Sequence, residues 1–316
     1  MPPYIRRCMN RKKAITCLSL FLLTALFHFV SRFCEKQTDG FSLALIHSGL
    51  KFNPAWETKP ISYDVKVKLD QVFSQKFHFL GSGGQCFAFV SDDGLTVIKF
   101  FKFRLFRKPY YYFLTKPLPC PFELSRLRKL HRALFKLRRD FTSYKIAYEE
   151  LKEESGLIYL HLNKGAELNR KIQIIDKIGI THEIDLDDVE FAVQRRAEPI
   201  LPRISTFLAN SDLSSARLAL RAILKTLVHR CQKGVFDEDP RLYNNLGFIE
   251  NDAIFIDIGR FVLDSTRKEP AIYLADIKGI TDKNLRGWLQ RNHPELEKIL
   301  DEELEHLIAQ EWNNRV

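Results

Sequence analysis

An ordered set of cysteines is missing from this sequence. Its six, Cys8, Cys17, Cys34, Cys86, Cys120 and Cys231, are scattered, with no C-x-x-C pair and no histidine at zinc spacing. That argues against a zinc site and a disulfide framework. The composition of a disordered chain is missing too, because 45% of the 316 residues are apolar and 12% aromatic, enough to bury one large core or two small ones. Charge is absent from one stretch: the eighteen residues from Ala14 to Ser31 hold no Asp, Glu, Lys or Arg. This is close to the roughly 20 apolar residues that span a bilayer. It exceeds the apolar core of about 7 to 15 residues in a secretory signal, and no small-x-small cleavage site follows near Phe29 to Cys34. The stretch reads as an uncleaved anchor over residues 14–33, with a basic N-terminus, 1–13, ahead of it. Cys34 lacks the small preceding residue of a lipidated cysteine, because Arg32-Phe33 stands there.

What is present is unevenly placed. The net charge is +10, yet residues 1–13 carry five cations and no acid, and 101–139 carry twelve Lys and Arg against Glu123 alone. A neutral to acidic globule therefore bears two basic segments. Residues 34–62 hold Gly40, Pro54 and Pro60 and no sustained period, and read as a linker.

A folded region follows. Phe77-His78-Phe79-Leu80 leads into Gly81-Ser82-Gly83-Gly84, then Cys86 to Val90, an Asp92-Asp93-Gly94 turn, and Leu95 to Phe100. Two runs rich in aromatic and β-branched residues around an Asp-Gly turn predict a hairpin, with the glycines at the mouth of its first strand. Glycines there let backbone N–H groups approach phosphate oxygens, and Lys99 on the third strand would reach those phosphates. A strict G-x-G-x-x-G is lacking, since Gln85 and Cys86 follow Gly84.

From Phe122 to Arg139 the apolar residues Leu124, Leu127, Leu130, Leu134 and Leu137 recur every three or four positions, with Arg126, Arg128, Lys129, Arg132, Lys136 and Arg139 on the other faces. This predicts a basic amphipathic helix. It suits docking on an anionic membrane surface. A solvated helix packing its leucines on the domain is the alternative, and nucleic-acid binding the less favoured third reading. Asp140 to Glu154 predicts a second helix ending at Gly156. Strands are expected at Leu157–Leu162, Lys171–Ile180 and Val189–Gln194, and Gln194–Glu198 before Pro199 reads as a connector.

The pattern then turns helical. Ala216, Leu220, Ile223, Leu227 and Cys231 share one face of a helix that ends at Lys233-Gly234. Beyond it, Asp239 and Asn244 are five apart, and Asn244 and Asp257 thirteen apart. Those intervals suit a phosphoryl-transfer centre, with one Asp orienting a nucleophile while an Asn and a second Asp hold magnesium.

The run Gln232 to Asn244, with Gly81–Gly84, Lys99 and Asp257-Ile258-Gly259, resembles the protein-kinase-like superfamily over roughly residues 77–262. The resemblance implies an α+β, two-lobed fold. A β-rich N-lobe would occupy 63–198, with the basic stretch as an insertion, and a reduced helical C-lobe 199–316, all behind one N-terminal transmembrane helix. It implies ATP and magnesium as cofactors. Gly81, Ser82, Gly83, Gly84 and Lys99 would hold the nucleotide, and Glu149 or Glu150 would pair with Lys99. Asp239 would be the catalytic acid or base, with Arg241 where many kinases keep a lysine that touches the transferred phosphate. Asn244 and Asp257 would be the metal ligands, with Asn245 the register alternative to Asn244.

The departures matter as much. Asp237-Glu238 replaces the usual His-Arg, and three adjacent acids raise one another's pKa unless a cation offsets them. His229-Arg230 only imitates that dipeptide, because Cys231 stands in the acid's place. After Gly259 no Ala-Pro-Glu segment follows. The resemblance is therefore nearer to compact kinases of sugars, lipopolysaccharide or small molecules, or to pseudokinases, than to full protein kinases. Five cations before the apolar span against Arg32, Lys36 and Lys51 after it put the N-terminus in the cytoplasm. This charge bias and the need for ATP point to opposite sides of the membrane.

Overall fold

The computed structural model describes residues 3–106 and 123–313; the middle of the basic stretch and the extreme ends of the chain lie outside the described residues, as does the Arg126 side chain. The fold is α+β and two-lobed, with one apolar helix in front. That helix, α1 (Pro3–Gln37), contains the window Leu18–Gln37, with a mean hydropathy of 1.4 and no residue buried. It is long and apolar enough to cross a bilayer.

The segment after it is no free linker. Phe41 packs edge-on against Phe87 and Phe89, Trp56 against Phe141, and buried Ser48 donates to Glu190 at 2.5 Å. Each aromatic fills its own gap in the lobe from an irregular strap, so the sequence shows no period there. Helix α2 (Tyr63–Phe73), capped by Ser62, then lays Leu69, Val72 and Phe73 on the sheet.

The N-lobe sheet has seven strands in the order β4-β7-β3-β2-β1-β5-β6. These are β1 (Lys76–Ser82), β2 (Cys86–Ser91), β3 (Thr96–Phe101), β4 (Leu157–His161), β5 (Lys171–Ile175), β6 (Thr181–Asp185) and β7 (Phe191–Arg195). The expected hairpin is β2–β3, and Gly94 takes φ +74° in its turn. The expected strand Lys171–Ile180 is instead the first half of a second hairpin, β5–β6, turning at Gly179 with φ +85°. Phe77, Phe89, Phe100 and Phe191 fill one face of the sheet. Each such side chain contributes on the order of 1.5–3 kcal/mol by burial.

The two helices expected around Arg139 are one, α3 (Glu123–Glu150). No Pro or Gly interrupts 123–150, and Leu130, Leu134, Leu137, Phe141, Tyr144 and Tyr148 keep one stripe in phase at alternating steps of four and three. Only the second half is deeply buried: Phe141 and Ala147 are fully enclosed while Leu127 and Phe135 remain exposed.

After the connector, β8 (Glu198–Pro199) leads into α4 (Ile200–Ala209) and α5 (Leu213–Gln232). Asp212 caps α5 by accepting the Ser215 N–H at 2.9 Å, and Gly234, φ +72°, turns the chain out of it. The short strands β9 (Val235–Asp237), β10 (Leu246–Ile249), β11 (Asp252–Phe255) and β12 (Phe261–Leu263) follow, with β9 paired to β12 and β10 to β11 and β8. Helices α6 (Pro270–Thr281) and α7 (Glu295–Asn313) close the lobe against α5. The first expected tail helix, Asp282–Gln290, is the second half of a longer helical run that starts with α6 and passes through a π-turn at Asp282–Arg286 into Gly287–Asn292. A continuous core runs from Phe141 and Tyr144 of α3 through Leu220 and Leu227 of α5 to Leu296 and Leu300 of α7.

Candidate active site

Between the sheet and the helical lobe lies a cleft of about 610 Å³, within the usual size of a ligand pocket. Its roof comes from the β1–β2 turn and β3, and its floor from the loop after α5 and the segment after β11. Lys99, Gly83, Gly84, Asp239, Arg241, Asn244 and Asp257 all line it. Gly81 and Ser82 sit just behind the lining, where Lys102 Nζ donates to Ser82 Oγ at 2.7 Å and to the Gly83 carbonyl. A Cβ on Gly81 or Gly84 would meet nothing within 4 Å, so these glycines leave open space above the cleft.

Glu149 and Glu150 are not brought to Lys99. Both are exposed, and Glu149 lies 3.9 Å from Lys145 on its own helix. The helical period puts position 149 opposite the inward face of Ser143, Tyr144 and Ala147, and Glu150 is exposed as the last residue of α3. What α3 presents beside Lys99 is Tyr144, whose hydroxyl is 3.7 Å from Cys86 Sγ. Lys99 itself donates to the Ile256 carbonyl, immediately before Asp257. Loss of water lowers its pKa, and the Cys86 and Asp257 side chains act in the opposite direction. Burial pushes the Cys86 thiol up to about 12, which keeps it protonated and unreactive.

Two of the three adjacent acids remain neighbours: strand alternation turns Glu238 out to solvent but leaves Asp237, buried, and Asp239, half-buried, both lining the cleft. Asp237, 3% exposed, lies 3.8 Å from the guanidinium of Arg230, 1% exposed. Arg230, read as incidental in the sequence, is therefore the cation under the loop. Burial raises the Asp237 pKa and Arg230 pulls it back. The Asp237 carboxylate in turn accepts the Asp239 N–H at 2.9 Å and fixes the loop.

Asp239 is gripped by the Arg241 fork, with Nε at 2.8 Å and Nη2 at 2.5 Å. That bond, with the charges of Arg241, Arg260 and Arg139, holds its carboxyl below the usual range. An acid so placed is a weak proton acceptor and suits orienting a hydroxyl. Asn245 braces the loop: its Nδ2 donates to the Asp239 carbonyl at 2.8 Å and its carbonyl accepts the Ile256 N–H at 2.7 Å. Asn244 also faces the cleft and has no such brace.

Other residues escaped the sequence reading. Ser143, buried on α3, donates to the Ile258 carbonyl and accepts the Phe261 N–H at 2.5 Å, fastening α3 to the Asp257-Ile258-Gly259 segment. Gln85 donates to the Gly259 carbonyl at 3.4 Å, and a Cβ on Gly259 would collide with its amide. Gln194 ties the connector to both lobes by donating to the Ser155 and Phe255 carbonyls at 2.6 and 2.8 Å. Only the Gln85 position carried a signal, as the departure from the expected glycine spacing.

The donor set fits a magnesium-bound nucleotide. Asp257 and Asn244 offer hard oxygens from only two side chains, the pattern of an ion that completes its shell with phosphate and water. Among the described residues no cluster of three or more His, Cys, Asp or Glu could form an all-protein metal cage.

No family model matches the chain, and no curated protein matches it. Among solved structures it is similar to a crystal structure of WbdD and to another described as the bifunctional kinase-methyltransferase WbdD, each at 14% identity, with TM-scores of 0.33 and 0.32. The alignments cover 74% and 72% of this chain and 50% and 47% of theirs, so the chain spans about half the length of the structures it matches.

Proposed function

We propose that the chain is a membrane-anchored phosphotransferase that moves the γ-phosphate of magnesium-bound ATP to an acceptor hydroxyl. One observation carries this reading: Lys99 lines one cleft with Asp239, Asn244 and Asp257, which follow it by 140 positions or more. Lys99 holds phosphate oxygens from the roof, while Asn244 and Asp257 hold the metal from the floor. Arg241 faces the transferred group, and Asp239 orients the acceptor once that fork lets go of it. When bound, the metal ion neutralises charge on the phosphates. The apolar helix α1 keeps the catalytic lobes at a membrane.

A degenerate kinase acting as a membrane-tethered scaffold is the second reading. It is favoured by Lys99 meeting no carboxylate from α3. Thermal melting of the full chain in detergent separates the two. An enzyme should melt higher with ATP and magnesium, lose the magnesium-dependent part of that shift in Asp257→Ala, and release ADP when given an acceptor. No nucleotide response in the intact chain would reject the phosphotransferase reading.

A further inference from the structure

Positive charge collects at the Asp239 end of the cleft. Lys136 and Arg139 come from α3, Arg241 from the loop and Arg260 from the position after Gly259, and all four line the cleft. Arg260 Nε lies 3.8 Å from Asp239, a carboxylate already taken up by the Arg241 fork. Asp140, buried on α3, accepts from Arg139 Nη2 at 3.2 Å, and the Asp237 carboxylate beside Asp239 is matched to Arg230. Arg139 Nε is buried and has no hydrogen-bond partner among the described residues. A buried donor without an acceptor is destabilising, and in native folds such an atom points to a missing water, ion or ligand.

We propose that Lys136, Arg139 and Arg260 form an acceptor subsite for an anionic group, a phosphate or carboxylate carried by the molecule whose hydroxyl meets Asp239. The inference rests on the phosphotransferase reading and names its acceptor class. Arg241 is excluded from the subsite because it stands next to the transferred phosphate. Two guanidinium groups reaching in from different elements suit the oxygens of a phosphate, where planar forks make paired charge-assisted bonds. A neutral alcohol would leave Arg139 Nε unanswered and leave Lys136, Arg139 and Arg260 with only the carboxylates of Asp140 and the Arg241-bound Asp239 beside them. The same chemistry is offered by a soluble phosphosugar and by an anionic lipid headgroup beside the anchored domain.

The test uses the full chain in phosphatidylcholine nanodiscs. One arm measures binding of inorganic phosphate and glucose 6-phosphate against glucose; the other compares melting in nanodiscs with and without a phosphoinositide. The expected result is binding or stabilisation by a phosphate-bearing probe in at least one arm, and the responding arm identifies the source. Arg139→Gln and Arg260→Gln should each weaken it about tenfold or more, the loss expected for a charge-assisted hydrogen bond. Their melting temperatures without probe report whether each variant folds. Nucleotide affinity measured in the same variants should fall less than the response to the phosphate-bearing probe, and an equal or larger fall would overturn the assignment of the two arginines to the acceptor side. The subsite is overturned if no phosphate-bearing probe acts in either arm, if glucose binds as well as glucose 6-phosphate, or if neither substitution weakens the response. Loss of the wild-type nucleotide response overturns the phosphotransferase reading instead, and the phosphate arm, repeated without nucleotide, keeps the two failures apart.

Discussion

Asp237→Asn removes one charge from beneath the Asp239 loop and changes little else. The amide oxygen can still accept the Asp239 N–H that the carboxylate accepts now. What is lost is the attraction to Arg230 across 3.8 Å, about 4 kcal/mol at an effective dielectric of roughly 20. Arg230, 1% exposed with Nε and Nη1 lacking hydrogen-bond partners among the described residues, would then be a buried cation whose carboxylate partner is gone. Breaking such a pair costs about 3–5 kcal/mol. In a domain of this size each kcal/mol moves the melting temperature by about 2–4 °C, so circular dichroism should record a fall of about 6–20 °C. Adding Arg230→Met removes the stranded charge and keeps the acceptor, and the double variant should recover to within about 1 kcal/mol of wild type. The pair's worth against neutral residues is small because burial opposes the Asp237 charge as Arg230 favours it. A double variant no more stable than Asp237→Asn, or a single variant within 1 °C of wild type, would refute the reasoning.

Two further outcomes follow from the N-lobe. Burial lowers His161 to about 4, against about 6.5 unfolded. With the folded pKa depressed, the unfolded chain takes up the proton first as pH falls. The stabilisation is thus full above about pH 6.5 and lost towards pH 4, amounting to about 3 kcal/mol. His161→Phe, beside Phe191, should flatten that part of a stability-against-pH profile, and an unchanged slope would count against it. Glu149→Gln and Glu150→Gln should leave nucleotide affinity, measured by calorimetry, within about twofold, since both side chains point to solvent, whereas Lys99→Met should lower it by tenfold or more, the loss of a charge-assisted bond. A tenfold loss in either glutamate variant would restore the pairing that their exposure denies.

Local signals in the sequence determined a good deal. The uncharged run at Ala14–Ser31 produced the exposed apolar helix, and the Asp92-Asp93-Gly94 turn produced the β2–β3 hairpin. Ala216, Leu220, Ile223 and Leu227 marked the buried face of α5, and Gly234 its end. Each depends on a period or a backbone preference acting within one element. The tertiary structure decided what no local pattern encodes. It brought Lys99 into the same cleft as Asp257, 158 positions later. It set the phase of α3 so that Tyr144, and neither Glu149 nor Glu150, faces the roof, a choice fixed by packing against Phe101 and Cys86. It turned Phe41 and Trp56 of a segment without period into core, because isolated aromatics are recruited by gaps that other elements leave. It also turned Glu238 away from Asp237 and Asp239 and set beneath Asp237 a cation, Arg230, on the neighbouring helix, which the sequence presents as one more residue at a helix end.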